Sequence, residues 1–358
     1  MPQRRFRISY LKNIELPLIV EVGEGPRKKI GDVLDYLNLL NVVLLSGRRS
    51  YEVVGEKIES RVSESIVAKF FVEKPSVGEV RKLSVRLSYE DVDGIVGVGG
   101  GKVLDVGKVL ATELNVAFVS IPTVASHDGI ASPVASFKEG GKPVSISTNP
   151  PAAVLADLVI LRHSPIRLLR AGYGDLISNV TAVKDWKLAR DVVGEEYNEV
   201  AASMAEMPAN LMLSSADMLD LKVIKHLEML VRGLILSGVA ISLAGSSRPA
   251  SGAEHKFSHA LDYLGYGEGL HGEQVAIGTI IMEYLHEKRY GVGNWELLKM
   301  SLEKIRAPTT AKEIGLTKEQ IVEALIYAKK IRRKRYTILD EVEDKEEFKI
   351  ALEKTKVA

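Results

Sequence analysis

The sequence predicts an α/β N-terminal unit built on a mainly parallel sheet, followed by an all-α unit. Three observations predict it. At 358 residues the chain is long for one hydrophobic core. Its first 160 or so residues alternate short β-branched runs with amphipathic stretches. After Ser164-Pro165 the strand signal fades and helical patterns run to the end. The expected boundary therefore lies at 164, giving units 1–164 and 165–358.

The elements follow in order. LPLIVEV (16–22), NVVLLS (41–46), IVAKFFV (66–72), DGIVGV (93–98) and NVAFVSI (115–121) read as strands. RKKIGDVLDYLNLL, YEVVGEKIESRV, VGEVRKLSVRLS and KVLDVGKVLATEL read as the helices between them. This βαβα rhythm predicts a parallel sheet covered on both faces. Between Ser132 and Asn149 the rhythm breaks, and PVASFKEGGKPVSIST reads as two short strands joined by a Glu-Gly-Gly-Lys turn. VLADLVIL (154–161) reads as the strand that closes this half.

Composition limits the function classes. With 48 basic and 47 acidic residues the net charge is +1, so nothing in the overall balance favours nucleic acid or an anionic membrane. There is no cysteine, which excludes disulfides, thiolate metal sites and a cysteine nucleophile. The N-terminal MPQRRFRISYLKNIELPLIVEVG has no long apolar core or small-residue cleavage site and is not expected to be a signal peptide. The most apolar stretch, 230–245, carries Arg232 and is expected to be too short to span a bilayer. A cytoplasmic protein, not membrane-embedded, is the expectation. The basic run KKIRRKR (329–335), followed by DEVEDKEE, reads as a helix C-terminus neutralised by an acidic segment rather than a nucleic-acid site.

GVGGGKVLDVGK (97–108) follows a strand and opens a helix, where glycines let backbone N–H groups approach an anion and the helix dipole adds positive charge. It departs from the usual GxGxxG and does not follow the first strand, so it is Rossmann-like rather than the standard fingerprint. A ligand-free strand–helix turn would also use glycines. IPTVASHDGIASP (121–133) follows the next strand, so it should share the same carboxyl edge, with Thr123, Ser126, His127, Asp128 and Ser132 in one loop. A solvated loop capped by Asp128 would look the same. SGRRS (46–50) offers Arg48 and Arg49 and no acid for a ribose 2′-hydroxyl, which allows a 2′-phosphate.

Three of the seven histidines, His255, His259 and His271, fall within EHKFSHALDYLGYGEGLHGE. His255 and His259 are four apart and share a helical face. Asp175, in GYGDLISN, stands before a helix, as an N-cap aspartate would, and is also the candidate carboxylate partner. Two histidines and a carboxylate leave open positions on a metal, as catalytic zinc needs. The same set describes the facial triad of non-haem iron oxygenases, which need no dinucleotide loop. Glu254-His255-x-x-x-His259 is not HExxH, so a zinc protease is disfavoured.

GVGGGKVLDVGK, SIPTVASHDGIASP, AGYGDLISN with TAVKDWKLA, SGAEHKFSHALD and LHGEQVAIGT together resemble the archaeal glycerol-1-phosphate dehydrogenases. These sit in the superfamily of iron-alcohol dehydrogenases, glycerol dehydrogenase and dehydroquinate synthase. The resemblance spans roughly residues 15 to 340. It implies a dehydroquinate-synthase-like fold with the active site in the cleft between a nucleotide-binding domain and a helical domain. It implies that Gly99, Gly100, Gly101, Lys102, Val103, Leu104 and Asp105, with Thr123, Val124, Ala125, Ser126 and Ser132, bind NADPH or NADH. One Zn²⁺ per subunit would be held by Asp175, His255 and His271, and substrate would be contacted by Asp128, Asp175 and His259. The ligands alone allow iron as well as zinc.

The implied reaction is NAD(P)H-dependent reduction of dihydroxyacetone phosphate to sn-glycerol 1-phosphate, the backbone precursor of archaeal membrane lipids. His259 is placed one turn after His255 to hydrogen-bond substrate or relay a proton. Arg248 is the expected phosphate donor, with Ser247 and Lys256 behind it. A homo-oligomer is expected, the apolar helical half being able to carry an interface. The rival readings are a glycerol dehydrogenase, a dehydroquinate-synthase-like lyase and a nucleotide-binding regulator on a degenerate enzyme fold.

Overall fold

The computed structural model describes residues 14–73 and 75–358. The stretch expected not to be a signal peptide falls largely in residues 1–13, outside the described residues. Among the described residues, six strands form one parallel sheet: β1 (Ile19–Gly23), β2 (Val42–Ser46), β3 (Ile66–Phe71), β4 (Gly94–Gly99), β5 (Ala117–Pro122) and β8 (Ala153–Asp157). Their spatial order is β1-β8-β5-β4-β2-β3. β6 (Val134–Glu139) and β7 (Lys142–Ser147) form a separate antiparallel hairpin. Its turn places Gly140 and Gly141 at φ +57° and +81°, a conformation that glycine adopts without a Cβ clash.

β2 and β4 are buried along their whole length, as parallel strands between two helical layers must be. Alternate side chains serve opposite faces. Leu44, Val96, Val119 and Leu155 pack with Ile30, Leu34, Val54 and Ile58. Val43, Leu45, Ile95 and Phe118 pack with Val80, Leu104 and Leu110. The helices on these faces include α1 (Ile30–Tyr36), α2 (Val77–Leu87) and α3 (Gly101–Leu114).

The run 154–161 is not one strand. It divides into β8 and α4 (Leu158–His163). The Asp157 carboxylate accepts from the Val159 amide at 3.0 Å and so caps the helix. A short apolar run is equally compatible with a buried strand or a buried helix, and here the cap decides.

Every element from Leu158 onward is helical among the described residues: α5 (Ile166–Ile177), α6 (Asn179–Val193), α7 (Glu199–Ser214), α8 (Ile224–Ala244), α9 (Ala253–Leu264), α10 (His271–Tyr290), α11 (Trp295–Lys304), α12 (Lys318–Ala328) and α13 (Lys345–Thr355), joined by 3-10 turns. The core on the Leu104 face of the sheet continues without a break into Tyr173, Leu176, Leu230, Phe257 and Ile277. At 21 residues α8 is longer than its most apolar stretch, and by length and composition alone it would reach across a membrane. It instead packs against α7 and buries Leu227, Leu230, Val231, Leu234 and Ile241 in the protein interior. Placement, rather than the shortness expected of it, marks α8 as a core helix.

Candidate metal centre and cofactor cleft

The sheet directs its carboxyl ends toward one edge. From β3 at the margin the chain returns across β2 to β4, so connectivity reverses between β2 and β4, where open α/β sheets bind ligands. The Gly99–Gly101 turn follows β4, and the 123–132 loop follows the neighbouring β5. A Cβ at Gly101 would lie 2.3 Å from His127 Nε2, so glycine here lets the His127 ring sit against the start of α3, and any larger residue would have to displace that ring. Val103, Leu104 and Ala125 are core side chains, which leaves their backbone to meet a ligand. Lys102 is exposed. Asp105 is buried and holds Lys108 at 3.0 Å, while Lys108 also donates to the carbonyl oxygens of Ser132 and Val134. Asp105 and Ser132 are thereby tied to the hairpin that walls the cleft.

SGRRS itself holds no acid, as its sequence shows. An acid does stand beside SGRRS: Glu73, at the end of β3, pairs with Arg48 at 2.7 Å. Sequence distance concealed it, because β2 and β3 are neighbours in the sheet but separated by a whole helical connection. Arg49 is left exposed.

Asp175, His255 and His271 converge. Their candidate ligand atoms all lie within 4.8 Å of one another. Asp175 Oδ1 is 3.6 Å from His255 Nε2 and 3.7 Å from His271 Nε2. Donors about 2.0–2.1 Å from a tetrahedral ion stand roughly 3.4 Å apart, so this set fits a metal with minor adjustment. Asp175 is not the helix N-cap its sequence position allowed. It lies in the last turn of α5, and its Oδ2 accepts from the Asp128 amide at 3.0 Å. Two glycines allow the convergence. A Cβ at Gly272 would lie 2.0 Å from the Ala171 carbonyl oxygen, and one at Gly174 would lie 2.5 Å from that of Gly272. Only bare backbone lets α5 and the start of α10 touch beside Asp175 and His271.

A further set of groups, not identified from sequence, orients the imidazoles. Glu254 Oε1 lies 2.8 Å from His255 Nδ1. Ser258 donates to Gln274 Oε1 at 2.7 Å, so its lone pair is free for His271 Nδ1 at 3.1 Å. Both rings can therefore carry their proton on Nδ1 and turn an Nε2 lone pair toward Asp175, as metal-ligating histidines do. Only the adjacency of Glu254 to His255 was available in sequence as a signal.

Without a metal the charges distribute unevenly. Burial opposes protonation of His255, yet Asp175 and Glu254 outweigh it and push the imidazole up to about 9. Burial and the His255 charge bring His271 down to about 3. Asp175 is held below its ordinary value: burial opposes this, but the His255 hydrogen bond and the nearby imidazoles prevail. At neutral pH the metal-free protein would hold Asp⁻/His⁺/His, and a metal would have to displace one proton, from His255. Affinity should thus rise with pH, by about tenfold per unit up to about pH 9. Calorimetric titration of metal-free protein with Zn²⁺ at pH 7 and pH 8, in buffers of different ionisation enthalpy, reads both the affinity change and the single proton released.

A cavity of about 260 Å³ joins these groups, bringing together Gly101, Lys102, Asp105, His127, Asp128 and Ser132 with Asp175, His255, His259 and His271. Gly99 at the end of β4, Gly100 after it and Thr123 to Ser126 after β5 stand at the same edge of the sheet, outside the residues that line the cavity. Asp128 is pushed up to about 6, by burial and then by Asp175, and accepts from Ser237 at 3.1 Å. His259 is held well below its ordinary value, by burial and then by Arg332. It is a neutral hydrogen-bonding group at physiological pH rather than an imidazolium acid.

Arg248 and Lys256 do not reach the cavity. Arg248 is buried, with its guanidinium on Glu195 and the Tyr336 carbonyl oxygen. Lys256 is turned toward Arg335 O, Thr337 and Asp340. Their neighbours in sequence are exposed to the cleft, but the side chains themselves fill the helical core. Ser247 does line the cavity, joined by Ser145, Ser251 and Arg332. The 329–335 run is therefore not merely a helix end facing an acidic segment, because Arg332 and Arg335 fold inward onto Ser247 and Ser251.

The family model described as iron-containing alcohol dehydrogenase matches residues 21–165. Solved structures share the architecture: glycerol dehydrogenase of Schizosaccharomyces pombe (TM-score 0.77, 18% identity, 96% of this chain and 90% of that one) and maleylacetate reductase of Agrobacterium tumefaciens (0.76, 15%, 96% and 98%). The chain belongs to the glycerol-1-phosphate dehydrogenase family. It is 61% identical to "Glycerol-1-phosphate dehydrogenase [NAD(P)+]" of Archaeoglobus fulgidus over 97% of this chain and 99% of that protein. The protein of the same name from Thermococcus sibiricus is 43% identical over 93% and 94%.

Proposed function

We propose that this chain catalyses the NAD(P)H-dependent reduction of dihydroxyacetone phosphate to sn-glycerol 1-phosphate, supplying the backbone of archaeal membrane lipids. The carrying observation is the Asp175/His255/His271 set opening into the cavity that also meets the Gly-rich turn. Substrate enters between an α/β unit ending near 164 and the helical unit from 165 onward. Asp175, His255 and His271 hold one Zn²⁺ per subunit, their donor set and spacing suiting that ion. When bound, the cation supplies Lewis-acid polarisation of the ketone and the nicotinamide supplies the hydride.

The chain's own residues do the rest. Gly99–Asp105 and Thr123–Ser126 seat the dinucleotide, the α3 N-terminus facing its pyrophosphate, and Ser132 extends this wall. His259, neutral and one turn from His255, hydrogen-bonds the substrate. Asp128, raised to about 6 and steadied by Ser237, holds a substrate hydroxyl from the cofactor side. Arg49 beside a Glu73-paired Arg48 supports use of both NADPH and NADH. The enzyme works in the cytoplasm as a homo-oligomer.

The test is the reverse reaction. NADP⁺ reduction with sn-glycerol 1-phosphate, and little with sn-glycerol 3-phosphate or glycerol, is the expected outcome. Preference for unphosphorylated glycerol would replace this reading with a glycerol dehydrogenase.

A further inference from the structure

Arg332 and Arg335 present an electrostatic problem that the reading above does not absorb. Arg332 lies within hydrogen-bonding reach of three hydroxyls: Ser145 at 3.0 Å, Ser251 at 3.3 Å and Ser247 at 3.4 Å. Arg335 donates to Ser247 Oγ at 2.9 Å and to the Ser251 carbonyl oxygen at 2.7 Å. Neither forms an ion pair with a carboxylate among the described residues, whereas nearby Arg248 has Glu195. Burial pulls Arg335 down to about 9, with the charges of Arg332 and Arg248 adding to it and Glu254 and Glu195 only partly opposing it, and burial alone pulls Arg332 down. Two partly buried guanidiniums with no carboxylate paired directly to either are costly unless an anion joins them.

The position of the pair says which anion. Arg332, Ser145, Ser247 and Ser251 line the same cavity as Asp175, His255, His271 and His259. Arg332 is close enough to depress His259, which stands one turn from His255. The Gly-rich turn and the α3 N-terminus, where a cofactor pyrophosphate belongs, lie on the sheet side of the cleft, whereas Arg332 enters from the helical side. The Arg332 end therefore faces the far end of a short substrate whose carbonyl is at the metal set.

We propose that Arg332, with the hydroxyls of Ser145, Ser247 and Ser251, is the seat of the substrate's phosphate group, and that Arg335 positions Ser247 and Ser251 for it. This rests on the reading of the chain as a reductase of a phosphorylated three-carbon ketone. A guanidinium fork ringed by hydroxyl donors matches a phosphate's geometry and dianionic charge. Because Ser145 comes from the β6–β7 hairpin and the other groups from the helical half, the phosphate links the two walls of the cleft.

The experiment compares wild-type enzyme with Arg332→Gln and Arg332→Lys. The preference for dihydroxyacetone phosphate over dihydroxyacetone, as a ratio of kcat/KM, should fall by about 30- to 100-fold in the Gln variant, through KM. Inhibition by inorganic phosphate should weaken in parallel. Lys, which keeps the charge but not the fork, should restore part of both. A Gln variant with wild-type preference and wild-type phosphate affinity would overturn the proposal, as would equal losses on both substrates with phosphate affinity unchanged. If Arg332→Gln fails to fold by circular dichroism, the Ser247→Ala/Ser251→Ala double variant carries the same test with the same two outcomes. If the wild type does not reduce dihydroxyacetone phosphate, the functional reading fails. Thermal-shift protection by inorganic phosphate, present in wild type and lost in Arg332→Gln, then still decides the seat.

Discussion

His255→Ala and Asp175→Asn are each expected to lose metal and activity together, by on the order of a thousandfold in kcat/KM at unchanged fold. Lewis-acid polarisation contributes several kcal/mol to such a transition state, and each 1.4 kcal/mol is about tenfold. In Asp175→Asn the carboxylate that faces both Nε2 atoms becomes a neutral amide, and the two imidazoles lose the negative charge between them. Removing Glu254 instead should be milder, because it acts on His255 only through Nδ1. A loss of roughly 10- to 100-fold in metal affinity is typical of such partners. Metal analysis of each purified variant, alongside its turnover, makes the comparison. Full activity in a metal-free variant would remove the metal from the account.

Gly272→Ala is expected to be nearly as severe although alanine adds a single methyl group. Its Cβ would lie 2.0 Å from the Ala171 carbonyl oxygen, and both atoms belong to helices packed along their length. Backbone cannot move aside as a side-chain end can, so relief requires α5 and α10 to separate. That separation costs on the order of 3 kcal/mol and moves His271, the neighbouring residue, away from Asp175. The expected result is a lower melting temperature with reduced metal content. A Gly272→Ala protein with wild-type melting and full metal would show that the close approach is not what positions the ligand.

The parts of this architecture legible in the sequence are those where a local pattern and a tertiary requirement coincide. Of the five first strands, β2 and β4 were readable because burial on both faces demands apolar, β-branched residues. β1 and β3 were readable from their β-branched runs although they are only part-buried, and the Gly140-Gly141 hairpin because positive φ demands glycine. The histidine window was readable because two members of the proposed ligand set, His255 and His271, sit near each other in the chain. Asp175 was legible as a candidate, but its place in a helix rather than before one depends on α5 running on to Ile177.

The missed features all depend on partners distant in sequence. The run 154–161 looks uniform until Asp157 is seen to cap α4. Glu73 reaches Arg48 only through strand pairing. Arg248 sits in a polar, glycine-flanked segment that invites a ligand role, yet Glu195 claims it. Arg332 lies in a basic run of the kind that normally coats a surface. What turns it inward is Ser145 from the hairpin together with Ser247 and Ser251 from the α8–α9 connection, and no periodicity announces such a meeting.

The central claim is that the Asp175/His255/His271 metal and the Gly-rich cofactor turn act together on a phosphorylated ketone. NADPH oxidation by metal-analysed protein, with dihydroxyacetone phosphate as substrate and dihydroxyacetone as control, tests it most directly. The account predicts turnover specific for the phosphate ester, abolished by chelation and restored by Zn²⁺. No oxidation of NADPH with either compound, by protein that has bound both metal and cofactor, would contradict it and point to the non-redox branch of the superfamily.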